Sequence, residues 1–234
     1  MEGAWNAALS DSNLPASSVH LLLVPGSAVQ DHNKAACYPP GKELIEEAGD
    51  LVSGSVLAEA NSPEHIDQHR IAIYEDVDEA DPVAFAILAG TLRHELRHAE
   101  QRVACGGVLF ALDELAEQLV LWKVGGLPGG ALLYQSKPIE LDANAASARF
   151  LHRHFSDVVE KILEGPDAAL ARPNTPPGDL SDLSAKTVAF MFCLREVAEE
   201  PARFPSGLPF SARLRLIGPE WAELWERACA TNTI

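Results

Sequence analysis

Hydrophobic positions along this chain change period several times, and each change marks an element. Residues 19–24, Val-His-Leu-Leu-Leu-Val, form a short apolar run closed by Pro25 and Gly26. Residues 70–74, Arg-Ile-Ala-Ile-Tyr, form another, closed by the acidic residues 75–78. Short apolar runs between breakers are the pattern of buried strands, so a small sheet is predicted near the N-terminus. Between the two runs, Leu44, Ile45, Ala48, Leu51, Val52 and Val56 fall at helical spacing and predict a helix over 41–59, weakened by Gly49 and Gly54.

A stronger helix signal opens at Asp81-Pro82. Asp accepts from free first-turn N–H groups, and Pro at the first helical position gives up no needed donor. The helix is expected to run to Gly106 and Gly107, which suit a left-handed cap. Its first half, residues 83–92, is apolar nearly all round, as in a helix buried within a domain. Further helices are predicted over 109–124, 138–163, 181–199 and 219–230. Gly- and Pro-rich residues 125–130 separate the first two of these. Pro166, Pro173, Pro176 and Pro177 mark a linker-like loop before the last two. The expected organisation is an α+β unit over 1–164, a Pro-rich loop over 165–180 and a helical subdomain over 181–234.

Charge narrows the candidate functions. Lys and Arg number 18 against 34 Asp and Glu, a formal net charge of −16. Such a surface repels polyanions, so neither nucleic acid nor an anionic membrane is expected as a partner. No stretch approaches the roughly 18 apolar residues of a membrane helix. The first 25 residues lack the basic start and the apolar length of a signal peptide. Cys37, Cys105, Cys193 and Cys229 lie far apart with no CxxC pair, which suits reduced thiols of a cytoplasmic protein.

The chemistry lies on the buried helix, where His94-Glu95-Leu96-Arg97-His98 spells HExxH. Residues four apart on an α-helix differ by about 40° in direction, so both imidazoles can converge on one cation with Glu95 beside them. Zinc held in this way lowers the pKa of its water toward about 7, and a neighbouring carboxylate takes the proton. Amide or ester hydrolysis is the expected reaction, with His94 and His98 as metal ligands and Glu95 as the catalytic base.

A zinc site needs a third protein ligand. Residues 138–146, Pro-Ile-Glu-Leu-Asp-Ala-Asn-Ala-Ala, offer Glu140 or Asp142, which lie about 200° apart on a helix, so only one can face the metal. HExxH followed by a helix carrying ExxA[DN] resembles the gluzincin metallopeptidases, and residues 140–144 resemble the corresponding helix of ImmA/IrrE-type peptidases. The resemblance covers about residues 82–151. It implies Glu140 as third ligand, Asn144 as a support for a ligand histidine, and a zincin-like fold acting on a peptide or related amide. In such a domain the sheet borders the cleft, the His94 helix forms its floor and the Glu140 helix completes the coordination.

Other residues carry weaker signals. His65 and His69 also lie four apart, but in a polar segment beside a strand, and read as a surface turn in preference to a second metal site. His152 and His154 read as surface residues. Along with Tyr134 they are candidates for stabilising an oxyanion. Trp221 and Trp225 are at helical spacing and read as packing. Two other functions fit the same residues. Two histidines and one carboxylate also suit iron(II) and oxygen chemistry, and a zincin shape can serve binding without catalysis.

Overall fold

The computed structural model describes residues 1–24, 35–43, 54–74, 80–105, 138–165 and 193–194. They form a mixed α+β fold with one three-stranded sheet and a larger helical part. In chain order the elements are helix α1 (Glu2–Ser10), strands β1 (Val19–Val24) and β2 (Ala36–Tyr38), helix α2 (Gly54–Ala60), strand β3 (His69–Tyr74), and helices α3 (Pro82–Cys105), α4 (Pro138–His154) and α5 (Ser156–Glu164). A single 3-10 turn, Ala16–Ser18, leads into β1. Among the described residues, no helix is long and apolar enough to cross a membrane.

β3 lies between its neighbours, parallel to β1 and antiparallel to β2. Side chains alternate across a strand, and the register Leu21↔Ile71, Leu22↔Ala72, Leu23↔Ile73 puts like positions on one face. Val19, Ile71 and Ile73 join the main core with Ala86, Leu88, Ala89, Leu92 and Leu96 of α3. Leu22, Val24 and Ala72 face the other way, against Val56 and Ala60 of α2. The sheet is therefore sandwiched, and the helix bearing HExxH covers one of its faces.

α3 begins as its sequence predicts, with Asp81 Oδ1 accepting from the Val83 N–H at 2.9 Å. It packs against α4, and Gly90 marks the contact. A Cβ at Gly90 would lie 2.9 Å from Leu151 Cδ1 and 3.0 Å from Ser147 Oγ, while Ser147 Oγ–H donates to the Gly90 carbonyl at 2.7 Å. The missing side chain lets the two helices approach closely enough to share a site.

Three expectations need correction. Residues 41–43 are not helical: Gly41 adopts φ +71°, its N–H donates to the Ile66 carbonyl, and α2 starts at Gly54, where the sequence suggested a weak point. Residues 44–53 lie outside the described set. The helix expected over 138–163 divides at Phe155, whose φ of −140° is not helical. Its ring packs edge-on against both Phe85 and Phe150, and this core contact wins over helix continuation. β3 also begins one residue early, at His69.

Buried charge ties the helices together behind the site. Arg93 pairs with Asp11 at 2.9 Å and Glu100 at 3.3 Å, and Glu100 also accepts from the Asn13 N–H and from Arg97. Arg153 of α4 bonds the same Asp11. On the far side of the sheet, the fully buried Arg70 donates to the carbonyls of Ala60, Pro39 and Lys42, gathering the end of α2 and the 39–42 turn. The predicted helices over 109–124 and 219–230, the 125–130 segment, Tyr134, Trp221 and Trp225 lie outside the described residues. Of the 181–199 helix, Cys193 and Leu194 are described, and both are helical and buried.

Candidate metal centre

The spacing of HExxH on α3 places His94 and His98 one turn apart, with their rings at 84° and their centroids 4.7 Å apart. Their Nε2 atoms face each other at 3.1 Å. Glu140, in the first turn of α4, closes the group: Oε2 lies 3.4 Å from His94 Nε2 and Oε1 lies 3.6 Å from His98 Nε2. His98 and Glu140 are buried and His94 is half-buried. Two bare imidazole nitrogens at this distance repel, so the arrangement needs a positive centre, a proton or a cation, between them.

In the metal-free protein that centre is a proton. Burial disfavours a charged His98, but its bond to Glu140 and the fields of Glu140 and Glu95 outweigh burial and hold its pKa up at about 9. Burial likewise opposes ionisation of Glu140, yet the two imidazoles bring its carboxyl well below the usual range.

The same donors fit a tetrahedral ion. With ligand bonds of about 2.0–2.1 Å, the edges of a tetrahedron are about 3.3 Å. The three separations of 3.1, 3.4 and 3.6 Å bracket that edge. Two imidazoles and a carboxylate are donors of intermediate softness, which suits zinc or iron(II).

A further residue fixes the ligand geometry. Gln101 Nε2 uses both its hydrogens, on the Ile139 carbonyl at 3.0 Å and on Asp142 Oδ2 at 2.9 Å. Its oxygen is thereby turned to accept from His98 Nδ1–H at 3.0 Å, which leaves the Nε2 lone pair of the neutral ring for a metal. Asp142 also accepts from Arg97 Nε at 2.7 Å. Asp142 thus turns to α3 and Glu140 to the histidines, as their separation around the helix requires.

No protein-family model, curated protein or solved structure matches this chain.

Glu95 is buried, and among the described residues its carboxylate makes no hydrogen bond or ion pair. It stands close enough to His98 and to Cys37 to raise the pKa of each. Cys37, on β2, is also tied to α3, since Arg102 donates to its carbonyl at 2.8 Å and lies 3.2 Å from its sulfur. Burial pushes the Cys37 thiol up to about 12 although Arg102 opposes the shift, so this cysteine stays protonated and is a poor ligand.

The remaining sequence candidates stand apart from the three ligands. Asn144 is buried one turn beyond Glu140, but its Nδ2 has no hydrogen-bond partner among the described residues, and the histidine support falls to Gln101. His152 Nε2–H donates to the Leu194 carbonyl at 2.8 Å, and His154 lies 3.5 Å from Asp11. His65 and His69 do not meet. His69 is buried on β3, and burial beside Arg102 and Arg70 lowers its pKa, whereas His65 stacks on His20. Gln101 was missed in the sequence, where its one signal was its place three residues after His98.

Proposed function

We propose that this protein is a zinc-dependent hydrolase of the gluzincin type, a cytoplasmic peptidase acting on a peptide or related amide. The observation that carries the reading is the convergence of His94 Nε2, His98 Nε2 and Glu140, from two helices, at separations of 3.1 to 3.6 Å. A zincin-like role for the fold belongs to the same proposal. It is supported by α3 lying across one face of the sheet, with Cys37 of edge strand β2 close to Glu95. A zinc ion in such a nest supplies Lewis acidity and a water acidified toward about pKa 7.

The residues of the chain do the rest. Glu95, buried beside His98, accepts the proton of the attacking water as the water oxygen bonds to the carbonyl carbon. It returns that proton to the departing nitrogen as the C–N bond breaks, so the carboxylate ends as it began. A buried carboxylate beside the ligands, with no hydrogen-bond partner among the described residues, favours hydrolysis over oxygen chemistry, which needs the three ligands but no such base. A net charge of −16 turns the choice of substrate away from nucleic acids. The cytoplasmic setting rests on widely spaced cysteines, of which Cys37 and Cys193 are free thiols.

The test is elemental analysis of the purified chain, paired with turnover on a mixed peptide library. Glu95→Gln is expected to keep its zinc and lose at least about 100-fold in turnover. His98→Ala is expected to lose both. Iron in place of zinc, or undiminished turnover in Glu95→Gln, would sink the proposal.

A further inference from the structure

A second group of ligand-type side chains lies on the opposite side of the sheet. His20 of β1, Glu59 of α2 and His65 of the turn before β3 bring their ligand atoms within 4.8 Å of one another. His20 Nε2 sits 2.8 Å from Glu59 Oε1, and the rings of His20 and His65 stack with centroids 3.5 Å apart and planes at 7°. These residues come from three separate elements, so their meeting is a product of the tertiary fold.

One detail sets the group apart from an ordinary surface pair. His65 Nδ1 lies 3.0 Å from Gln68 Oε1, and Gln68 Nε2–H donates to the Ser17 carbonyl at 2.9 Å. Because the amide nitrogen is committed to a backbone carbonyl, the amide oxygen faces Nδ1–H and the Nε2 lone pair of the neutral ring is left outward. His98 and Gln101 repeat the arrangement: a glutamine three residues after the histidine, its oxygen on Nδ1 at 3.0 Å and its nitrogen on the Ile139 carbonyl at 3.0 Å. Ligand histidines characteristically have their second nitrogen held by such a partner.

We propose that His20, Glu59 and His65 form a second site for a divalent transition-metal ion, independent of the centre on α3. Two imidazoles and a carboxylate select a borderline ion such as zinc over calcium or magnesium. Binding splays the two rings from parallel so that their lone pairs converge, a side-chain rotation open to residues that are only partly buried. The ion then clamps β1, α2 and the 61–68 turn. The solvent-exposed Glu59 makes it the weaker and more easily exchanged of the two sites.

Zinc binding to the full chain at pH 7.5, measured by equilibrium dialysis and by competition with a chelator, tests this. Two ions per chain are expected. His20→Ala and His65→Ala each lose one and keep the other. Glu59→Gln, at an exposed position, weakens the second site tenfold or more while its circular dichroism matches the parent. His98→Ala keeps the second ion, so failure of the α3 centre is read separately. A single ion that survives His20→Ala and His65→Ala, or a second ion indifferent to all three changes, overturns the proposal.

Discussion

Gln101 holds His98 from behind: its amide oxygen accepts from His98 Nδ1–H at 3.0 Å while its nitrogen is anchored on Ile139 and Asp142. A ligand ring fixed in this way loses little freedom when it binds an ion, and its other nitrogen is made more basic.

Replacing Gln101 by Leu should therefore weaken zinc by about 10- to 100-fold without removing a ligand. Chelator competition measures it. A change below about twofold would show that the amide only packs.

Acidity should control metal uptake. In the metal-free protein His98 holds a proton up to a pKa of about 9, and zinc must displace it. Below that value the apparent dissociation constant is expected to rise about tenfold for each unit of falling pH, with close to one proton released per ion near neutrality. Calorimetry in buffers of differing ionisation enthalpy counts that proton.

The same shifts fix how the metal-free fold responds to pH. His98 is raised above its unfolded value, so its contribution is complete below about pH 6.5 and is lost as pH climbs through about 9. Glu140 is depressed, so its contribution is complete above its unfolded value of 4.5 and is lost progressively as pH falls below it. Metal-free protein should lose stability between about pH 6.5 and 9, and zinc-loaded protein should lose less. Urea midpoints across that range compare the two.

Gly90→Ala tests the helix crossing. Alanine would favour an isolated helix by about 1 kcal/mol. Here its Cβ meets Leu151 at 2.9 Å and Ser147 at 3.0 Å inside the core. Overpacking of this kind costs about 1–3 kcal/mol. The variant is expected to melt lower and bind zinc more weakly, because α4 carries Glu140. Gly3→Ala is the control, since its Cβ would find only ordinary contact with Phe85 at 3.7 Å.

Arg93→Met should be among the most damaging changes outside the ligands. It removes the cation shared by two carboxylates, the half-buried Asp11 and the buried Glu100. Stranding buried charge costs about 3–5 kcal/mol. The lower end is expected, because Arg153 still serves Asp11 and Arg97 still serves Glu100. Denaturant unfolding that moves by less than about 1 kcal/mol would contradict this account.

The readable parts of the sequence were those with a strong local signature. Asp81-Pro82 announces α3, the breaker-bounded run at 19–24 announces β1, and HExxH announces two of the three convergent side chains. β2 is three residues long, too short for any period to show, and is secured by Arg102 from a distant helix. α1 was overlooked because it packs with Ala4 and Ala8, which leave a weak apolar stripe. The division at Phe155 depends on Phe85, seventy residues earlier in the chain, and no local window contains both. His65 found His20 in place of His69 for the same reason: the partner was chosen by the fold, while spacing along the chain suggested another.

His94 and His98 lie on α3, but Glu140 follows much later in the chain, on α4. A ribosome adding about 5–20 residues per second exposes the two-histidine half of the centre several seconds before the carboxylate arrives. During that interval the centre proposed on α3 has only its two histidines to offer an ion. In the proposed centre firm capture would wait for α4 to dock at Gly90, so the order of translation would postpone metal loading there until both helices have been made.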